Sequence, residues 1–176
     1  MSADFERIAS RTIYEGRIIT VREDRFRYDD GEEADREFVG HPGAVGVVAH
    51  DDEHVYLVRQ PREAVGIGDL LELPAGKLDE EGEAPLGTAK RELAEEIGKA
   101  AETWEHLHSF FTSVGFCDEE VHLYLATGLT DVEPPDTEED ERIEIVAWPL
   151  SDLDAAIAGC RDSKTLVGLL ELRHRL

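Results

Sequence analysis

Hydrophobic and polar positions alternate along the first part of the chain with the period that is typical of β-strands. The alternation runs from Ile13 to Tyr28 and predicts a half-buried strand. Asp29-Asp30-Gly31 has the composition of a tight turn, so a second strand over 35–39 would complete a hairpin. Residues 1–12 carry little pattern, and we expect a frayed start or a short helix there.

Short apolar runs predict buried strands in the middle of the chain. Residues 44–49 and 55–59 are two such runs, and the acidic segment between them is short enough for a tight connection. Further strands are predicted over 105–112, 120–126 and 142–148. In the last of these strands, Ile143, Ile145 and Ala147 alternate with other residues and would share one face.

The segment 85–97 has a helical period instead. Its apolar residues recur three and four positions apart and form one stripe, which consists of Leu86, Ala89, Leu93 and Ile97. Pro85 suits the first helical position, because its missing N–H would be unpaired there in any case. Gly98 suits the stop, where a left-handed residue is favoured.

Two further helices are predicted at the end of the chain, over 151–158 and 163–175. Ser151 would cap the first helix, and either Asp162 or Ser163 would cap the second. Strands, one helix, further strands and terminal helices together predict an α/β or α+β domain built from packed layers.

The charge of the chain restricts its partners. The sequence has 41 Asp and Glu residues against 18 Lys and Arg residues, which gives a formal net charge of -23. This charge argues against nucleic acid and anionic membranes as partners. An acidic, lysine-poor surface is typical of proteins from salt-loving organisms, in which high ionic strength screens self-repulsion, so we expect a halophilic source.

The length and the cysteine content point to a simple organisation. A chain of 176 residues suits one well-buried domain and is short for two. The two cysteines, Cys117 and Cys160, form neither a metal-ligand pair nor a disulfide framework, which predicts reduced thiols in a cytoplasmic protein. We expect neither a signal peptide nor a membrane-spanning segment.

Three glutamates on the predicted helix 85–97 are candidate metal ligands. At about 100° per residue, Glu92, Glu95 and Glu96 lie within about one third of the helix circumference. Like charges at this spacing repel each other, and carboxylate oxygens are the donors that hard divalent cations prefer. The alternative is a solvated face, because acidic triplets of this spacing should arise about twice by chance in so acidic a chain.

The residues around this triplet make the pattern specific. Gly76 and Glu83 precede the segment Arg91–Gly98, which reads Arg-Glu-Leu-Ala-Glu-Glu-Ile-Gly. The arrangement resembles the Nudix box, in which a Gly is followed after five residues by Glu and after seven more by Arg-Glu-aliphatic-x-Glu-Glu-x-Gly-aliphatic. Two departures exist: six residues separate Gly76 from Glu83, and Lys99 stands where an aliphatic residue is usual.

Segments outside the box resemble the ADP-ribose pyrophosphatase branch of the Nudix family. The resemblance extends from about residue 14 to about residue 170. Its carriers are the segments 14–17, 21–28, 41–45, 57–60, 72–77, 115–119 and 162–166. One departure concerns the substrate, because Val114 stands where this branch has a proline that marks a preference for ADP-ribose.

The resemblance implies the α/β/α sandwich of Nudix proteins, with a mixed sheet and an N-terminal β-hairpin. It divides the chain into a hairpin region over 1–42, which we expect to form a homodimer, and a compact Nudix hydrolase domain over 43–176. In the dimer, Arg36 resembles a substrate contact that the partner subunit supplies in this branch.

The spacing makes Glu92 and Glu96, at positions i and i+4, the best ligands for Mg²⁺ or Mn²⁺, with Glu95 as a third. The resemblance adds the backbone carbonyl of Ala75. Gly76 would permit the turn of the loop or a close approach of its backbone. A phosphate substrate would be repelled by so acidic a protein unless a bound divalent ion reversed the local charge.

A water molecule that attacks a pyrophosphate also needs a proton acceptor. In this branch the acceptor comes from the loop before a late strand, which here contains residues 138–141. We select Glu139 as the base and Glu141 as an additional metal ligand, although a solvated side chain is the alternative for each. Arg91 is expected to pair with Glu83 and to hold the loop against the helix.

Three further residues are candidates for binding the substrate. Arg62 follows the strand 55–59, and its planar guanidinium suits a diphosphate. Phe26 or Tyr28 would stack on adenine, and ordinary packing within the hairpin is the equal alternative for both.

Together these residues predict Mg²⁺-dependent hydrolysis of the pyrophosphate bond of ADP-ribose or a related nucleoside diphosphate-sugar, giving AMP or another NMP and a sugar phosphate. One alternative is a Nudix hydrolase of another nucleotide, such as NADH or an oxidised nucleoside triphosphate. Another is a non-catalytic Nudix-like module that binds a nucleotide as a sensor. The intact segment 91–98 argues against the sensor, which has no need of all its carboxylates.

Overall fold

The computed structural model describes residues 4–134 and 142–176. The strands are β1 Phe5–Glu15, β2 Thr20–Tyr28, β3 Glu33–Gly40, β4 Ala44–His50, β5 His54–Arg62, β6 Ile67–Glu72, β7 Ala75–Lys77, β8 Lys99–Phe111, β9 Glu120–Asp131 and β10 Glu144–Pro149. The helices are α1 Pro85–Ile97, α2 Leu153–Gly159 and α3 Ser163–Arg175, and two short 3-10 helices cover Glu63–Val65 and Leu150–Asp152. The chain forms two compact units, which are described separately.

The smaller unit comprises the residues up to Gly43 together with Phe111–Glu120. Its three-stranded sheet has the order β1-β2-β3, and both pairs of strands are antiparallel. The turn that joins β2 to β3 contains Gly31 with a φ of 84°, a left-handed value that favours glycine. The predicted hairpin is therefore confirmed, with β3 starting two residues before the predicted strand 35–39.

The prediction of a frayed start or short helix over 1–12 is wrong for the described part of that segment. Strand β1 begins at Phe5 and pairs with β2 along its length. Nearly every side chain of β1 is exposed, so neither face is apolar and the hydrophobic alternation that would reveal the strand is absent. The predicted strand from Ile13 to Tyr28 is also interrupted, because Gly16–Ile19 forms a turn in which the Gly16 N–H donates to the Ile19 carbonyl.

The larger unit comprises Ala44–Phe110 and Val121–Leu176. Its seven-stranded sheet has the order β10-β5-β4-β9-β8, with β6 paired to β5 and β7 paired to β4. Strand β4 runs parallel to β9 and antiparallel to its other partners, so the sheet is mixed. Six of the seven residues of β4 are buried, which agrees with the predicted buried run over 44–49.

Helices cover both faces of this sheet. On one face, Val47 of β4 belongs to the same core cluster as Leu93 of α1. On the other face, Val48 belongs to a cluster that includes Leu169 of α3 and Ala156 of α2. Since successive side chains of a strand point to opposite faces, β4 supplies both cores. The predicted α/β/α layering with a mixed sheet is confirmed.

Two details of the C-terminal region differ from the prediction. Strand β10 begins at Glu144, so Ile143 lies before it; Ile145 and Ala147 are both exposed, whereas Val146 and Trp148 pack against the core. Ser151 does not cap a helix, because it lies inside a short 3-10 helix and α2 begins only after Asp152. No helix in the described ranges is long and apolar enough to cross a membrane.

Candidate active site

Helix α1 presents the predicted acidic face because its apolar stripe fixes its orientation on the sheet. Ala89, Leu93 and Ile97 are buried against the core. Pro85 occupies the first turn, and Gly98 ends the helix with a φ of 63°, its N–H bonded to the Ala94 carbonyl. The start, the stop and the buried stripe of the predicted helix are therefore confirmed.

The three glutamates beside this stripe are held close to the protein. Glu96 is 9% exposed, and its carboxylate accepts a hydrogen bond of 2.8 Å from the Ala75 N–H. The side chains of Glu92 and Glu95 are 14% and 26% exposed. A solvated face, which composition alone would favour, does not describe side chains buried to this extent.

The loop before α1 is fixed against both the sheet and the acidic face. The Pro74 carbonyl accepts a hydrogen bond of 2.9 Å from the Val47 N–H. Residue 76 pairs with Val45 across β7 and β4. A Cβ atom at Gly76 would fall on the carboxylate of Glu92, so only glycine allows this approach. The loop backbone and the helix acids therefore form one site.

Arg91 meets several of these acids at once. Its Nη1 group donates to Glu92 and to Glu95, at 2.8 Å in each case, and its Nη2 group lies 3.3 Å from a Glu83 oxygen. The hydroxyl of Thr88 donates to the same Glu83 oxygen at 2.9 Å. Burial by itself would lower the pKa of Arg91, but the charges of Glu92 and Glu95 and the hydrogen bonds of its carboxylate partners raise it. Arg91 thus stays charged. The predicted contact with Glu83 is present, and Arg91 also pairs with Glu92 and Glu95.

The donor chemistry of this site fits a divalent cation. In residues 4–134 and 142–176, no group of three or more acidic, histidine or cysteine side chains is arranged to hold a metal ion. The Nη1 group of Arg91 forms ion pairs with Glu92 and Glu95 in this structure. Carboxylate oxygens and the nearby carbonyl of Ala75 are hard donors, which Mg²⁺ and Mn²⁺ prefer.

A second group of charged side chains lies where β6 leads into this loop. Glu72 is 1% exposed. Arg62 donates to it through Nε and Nη2, at 2.5 and 2.9 Å, and Lys164 of α3 donates to one of the same oxygens. Lys164 also donates to Asp162 at 3.0 Å. The guanidinium fork of Arg62, which the sequence assigns to a diphosphate, is therefore held along one edge by Glu72.

Helix α3 also binds the backbone of the loop. Asp162 caps α3, since its carboxylate accepts from the Thr165 N–H at 3.0 Å, as one of the two predicted caps. The buried Thr165 hydroxyl accepts a hydrogen bond of 2.8 Å from the Leu73 N–H. A Cβ at Gly168 would lie 2.6 Å from a Leu73 methyl group, so glycine lets α3 approach the loop closely.

No role is predicted from the sequence for Glu72, Lys164 or Thr165, and Asp162 is predicted only as a helix cap. The position of Glu72 between Leu71 and Leu73 was the available sign, because a buried acid requires a partner. Its partner Lys164 lies 92 residues away in the sequence, which local patterns do not reveal.

The other candidate residues fall into two groups. In the smaller unit, Phe26 packs edge-to-face against Phe5 and Phe38, at 5.5 and 5.8 Å between ring centroids. Arg36 is exposed and donates to the Tyr28 hydroxyl at 3.2 Å. Val114 is 82% exposed. The candidate base Glu139 and the candidate ligand Glu141 lie outside the described residues.

Comparison with known proteins gives two family matches along the chain. Residues 5–39 match the nucleoside diphosphate sugar hydrolase N-terminal domain, and residues 40–166 match the NUDIX domain. A solved structure described as an ADP compounds hydrolase has a TM-score of 0.86 and 21% identity, covering 100% of this chain and 96% of the other. At that identity the structure shows the fold alone.

Two curated relatives are similar over most of their length. An ADP-ribose pyrophosphatase of Mycobacterium tuberculosis is 45% identical over 146 residues, which cover 82% of this chain and 70% of the relative. A methanol dehydrogenase activator of Bacillus methanolicus is 39% identical over 175 residues, which cover 96% of this chain and 94% of the relative. Because the NUDIX match spans well over half of the sequence and these relatives agree with it, the protein belongs to the Nudix family, as its motif predicts.

Proposed function

We propose that this protein is a Mg²⁺-dependent hydrolase of the pyrophosphate bond of ADP-ribose or a related nucleoside diphosphate-sugar, which gives AMP or another NMP and a sugar phosphate. The observation that carries the proposal is the contact between the loop and the helix acids. Glu96 accepts from the Ala75 N–H, and the Glu92 carboxylate occupies the space that a Cβ at Gly76 would need. A folded loop that gathers carboxylates in this way is suited to bind an ion and a phosphate beside it.

The substrate class rests on two observations. The segments outside the motif resemble the ADP-ribose pyrophosphatase branch, and a relative with 45% identity is named for that activity. The N-terminal match to a nucleoside diphosphate sugar hydrolase domain agrees with a nucleotide joined to a sugar through two phosphates.

The reaction assigns distinct tasks to the residues of the chain. Glu92, Glu95, Glu96 and the Ala75 carbonyl would hold Mg²⁺ or Mn²⁺, and Glu141 would add a ligand. When bound, such an ion neutralises phosphate charge and stabilises the transition state of phosphoryl hydrolysis. Arg91 keeps the loop and the helix acids together through its contacts with both.

The remaining tasks are proton transfer and substrate binding. Glu139 would take the proton from the attacking water, as a general base near the reacting phosphate. Arg62 would bind the diphosphate through the part of its guanidinium that Glu72 does not hold. Phe26 or Tyr28 would stack on adenine, although the contacts of Phe26 with Phe5 and Phe38 favour packing for that residue.

A second candidate is a Nudix hydrolase of another nucleotide, such as NADH. Val114 favours it, because the proline that accompanies ADP-ribose preference is missing at this exposed position. The two candidates share their chemistry and differ in the group attached to the second phosphate.

One assay decides between them. The purified protein is incubated with ADP-ribose, ADP-glucose, GDP-mannose, NADH and an oxidised nucleoside triphosphate, with Mg²⁺ or Mn²⁺ in molar KCl. We expect ADP-ribose to have the highest kcat/KM and AMP to be released. A higher value for NADH would select the second candidate, and no hydrolysis of any compound would contradict both.

We also propose that the protein is a homodimer in which Arg36 reaches the partner's substrate, and that it is adapted to high salt. The exposure of Arg36 supports the first point, and the net charge of -23 supports the second. Light scattering in molar KCl tests the dimer, which a monomeric mass would contradict. Full stability in dilute buffer would contradict the adaptation to salt.

A further inference from the structure

The group around Glu72 is neutral as a whole, and Lys164 makes it so. Glu72 and Asp162 carry two negative charges, and Arg62 and Lys164 carry two positive charges. Without Lys164 the group would carry a net negative charge. That charge would oppose an anionic substrate at Arg62.

The pKa of Arg62 is raised above its ordinary value. The hydrogen bond that Arg62 donates to Glu72 is the largest cause, and the charge of Glu96 on α1 acts in the same direction. The side chain of Arg62 is 41% exposed, whereas Glu72 beneath it is 1% exposed. Arg62 is therefore accessible to a ligand while it is anchored from the protein side.

The anchor uses only one edge of the guanidinium. Nε and Nη2 of Arg62 both donate to Glu72, in the parallel geometry that fixes the plane of the group. Lys164, only 14% exposed, fixes Glu72 in turn from helix α3. The chain of contacts thus runs from α3 through a buried carboxylate to an accessible arginine.

Resting on the proposed function, we infer that Lys164 is a positioning residue for substrate binding. It neutralises and orients Glu72, so that Arg62 is held by its Nε–Nη2 edge and keeps its positive charge and remaining N–H groups for the diphosphate. Lys164 acts through Arg62 and does not touch the substrate.

The inference is tested by steady-state kinetics with ADP-ribose and Mg²⁺ in molar KCl. Lys164→Met should raise KM about tenfold and leave kcat within about threefold, because it weakens binding and not the chemical step. Lys164→Arg retains the charge and should stay within about threefold of the wild-type KM. The matched control Arg173→Met removes an exposed cation from the same helix and should leave both constants unchanged.

A double-mutant cycle separates positioning from a general structural role. Arg62→Lys should raise KM to a similar extent, and Lys164→Met added to Arg62→Lys should change KM by less than about twofold, because the two side chains act in series. Two effects that multiply would overturn the inference, and so would a wild-type KM in folded K164M.

Thermal unfolding shows whether each variant is folded. If K164M fails to fold, the double variant Glu72→Gln/Lys164→Met removes both charges of the buried pair, which avoids an unpaired buried carboxylate. The same rise in KM is expected there, and a wild-type KM would overturn the inference. Absence of ADP-ribose hydrolysis by the wild type would instead contradict the proposed function.

Discussion

Two groups of carboxylates in the larger unit are neutralised to different extents. On and before α1, Glu83, Glu92 and Glu95 all contact a single cation, Arg91. Around Glu72, two basic side chains meet two acidic ones. Among the residues that the structure describes, the first group brings three carboxylates to one basic side chain and is partly exposed, which would suit an incoming cation. The second group brings two carboxylates to two basic side chains and is built around the buried Glu72. We interpret the first group as part of the proposed ligand site and the second as its support.

The largest effect should follow a change in Glu96, which lies on α1 next to the first group and contacts the loop. Glu96→Gln keeps the shape of the side chain and an oxygen for the Ala75 N–H. It removes one negative ligand, so we expect kcat/KM for ADP-ribose to fall by about 10²–10³-fold, as for other lost electrostatic contacts to a transition state. Initial rates at saturating Mg²⁺ measure the effect.

The control for this variant is Glu53→Gln, an exposed acid in the connection between β4 and β5. It removes the same charge from the protein and should leave the rate unchanged. Unaltered activity in E96Q, with Mg²⁺ binding intact, would remove Glu96 from the proposed metal site.

The group around Glu72 should instead control stability. Glu72→Gln leaves Arg62 and Lys164 without the buried carboxylate that both contact. We expect the free energy of unfolding to fall by about 3 kcal/mol, the usual range for breaking a buried ion pair. Denaturant unfolding at one fixed KCl concentration measures this difference.

An exposed ion pair between α2 and α3 provides the comparison for that measurement. Asp154 and Arg173 pair at 2.8 Å with side chains that are 77% and 53% exposed. Asp154→Asn should therefore cost less than about 1 kcal/mol. Equal losses in the two variants would mean that burial does not distinguish the two kinds of pair here.

The smallest effect concerns pH. Burial by itself would raise the pKa of Glu72, but the hydrogen bond from Arg62 and the charge of Lys164 lower it below its ordinary value of 4.5. The stability that this carboxylate contributes is present above pH 4.5 and is lost as the pH falls through the lowered folded-state pKa. The difference in unfolding free energy between wild type and E72Q should therefore shrink below pH 4.5. A difference that is constant down to the acid transition would contradict this assignment.

Elements with one buried face, or with two, could be predicted from the sequence. Helix α1 has a continuous apolar stripe and β4 is an apolar run, because both are packed against the core. Strand β1 has no buried face and therefore left no pattern. The cap at Asp162 was predictable from local chemistry. The predicted cap at Ser151 is wrong, because local patterns do not reveal the 3-10 helix that precedes α2 and contains this residue.

In the candidate site too, contacts between residues close in sequence could be predicted, and contacts between distant residues could not. The positions of Gly76, Glu92 and Glu96 follow from spacing along one loop and one helix. The contact of Arg91 with Glu95 also follows from their i, i+4 spacing and adds to the predicted contact with Glu83. The partners of Glu72 come from β5 and α3, and tertiary folding alone brings them together.

The hydrogen bond between Thr165 and Leu73 makes α3 a condition for completing the contacts of the loop before α1. A nascent chain whose synthesis has reached only residue 160 already contains the whole acidic motif, yet its Leu73 N–H still lacks the hydroxyl that satisfies it in the folded core. Ribosomal synthesis would therefore deliver the proposed metal ligands before the helix that holds their loop. Enzymatic competence should arise late in translation, once α3 has emerged and docked.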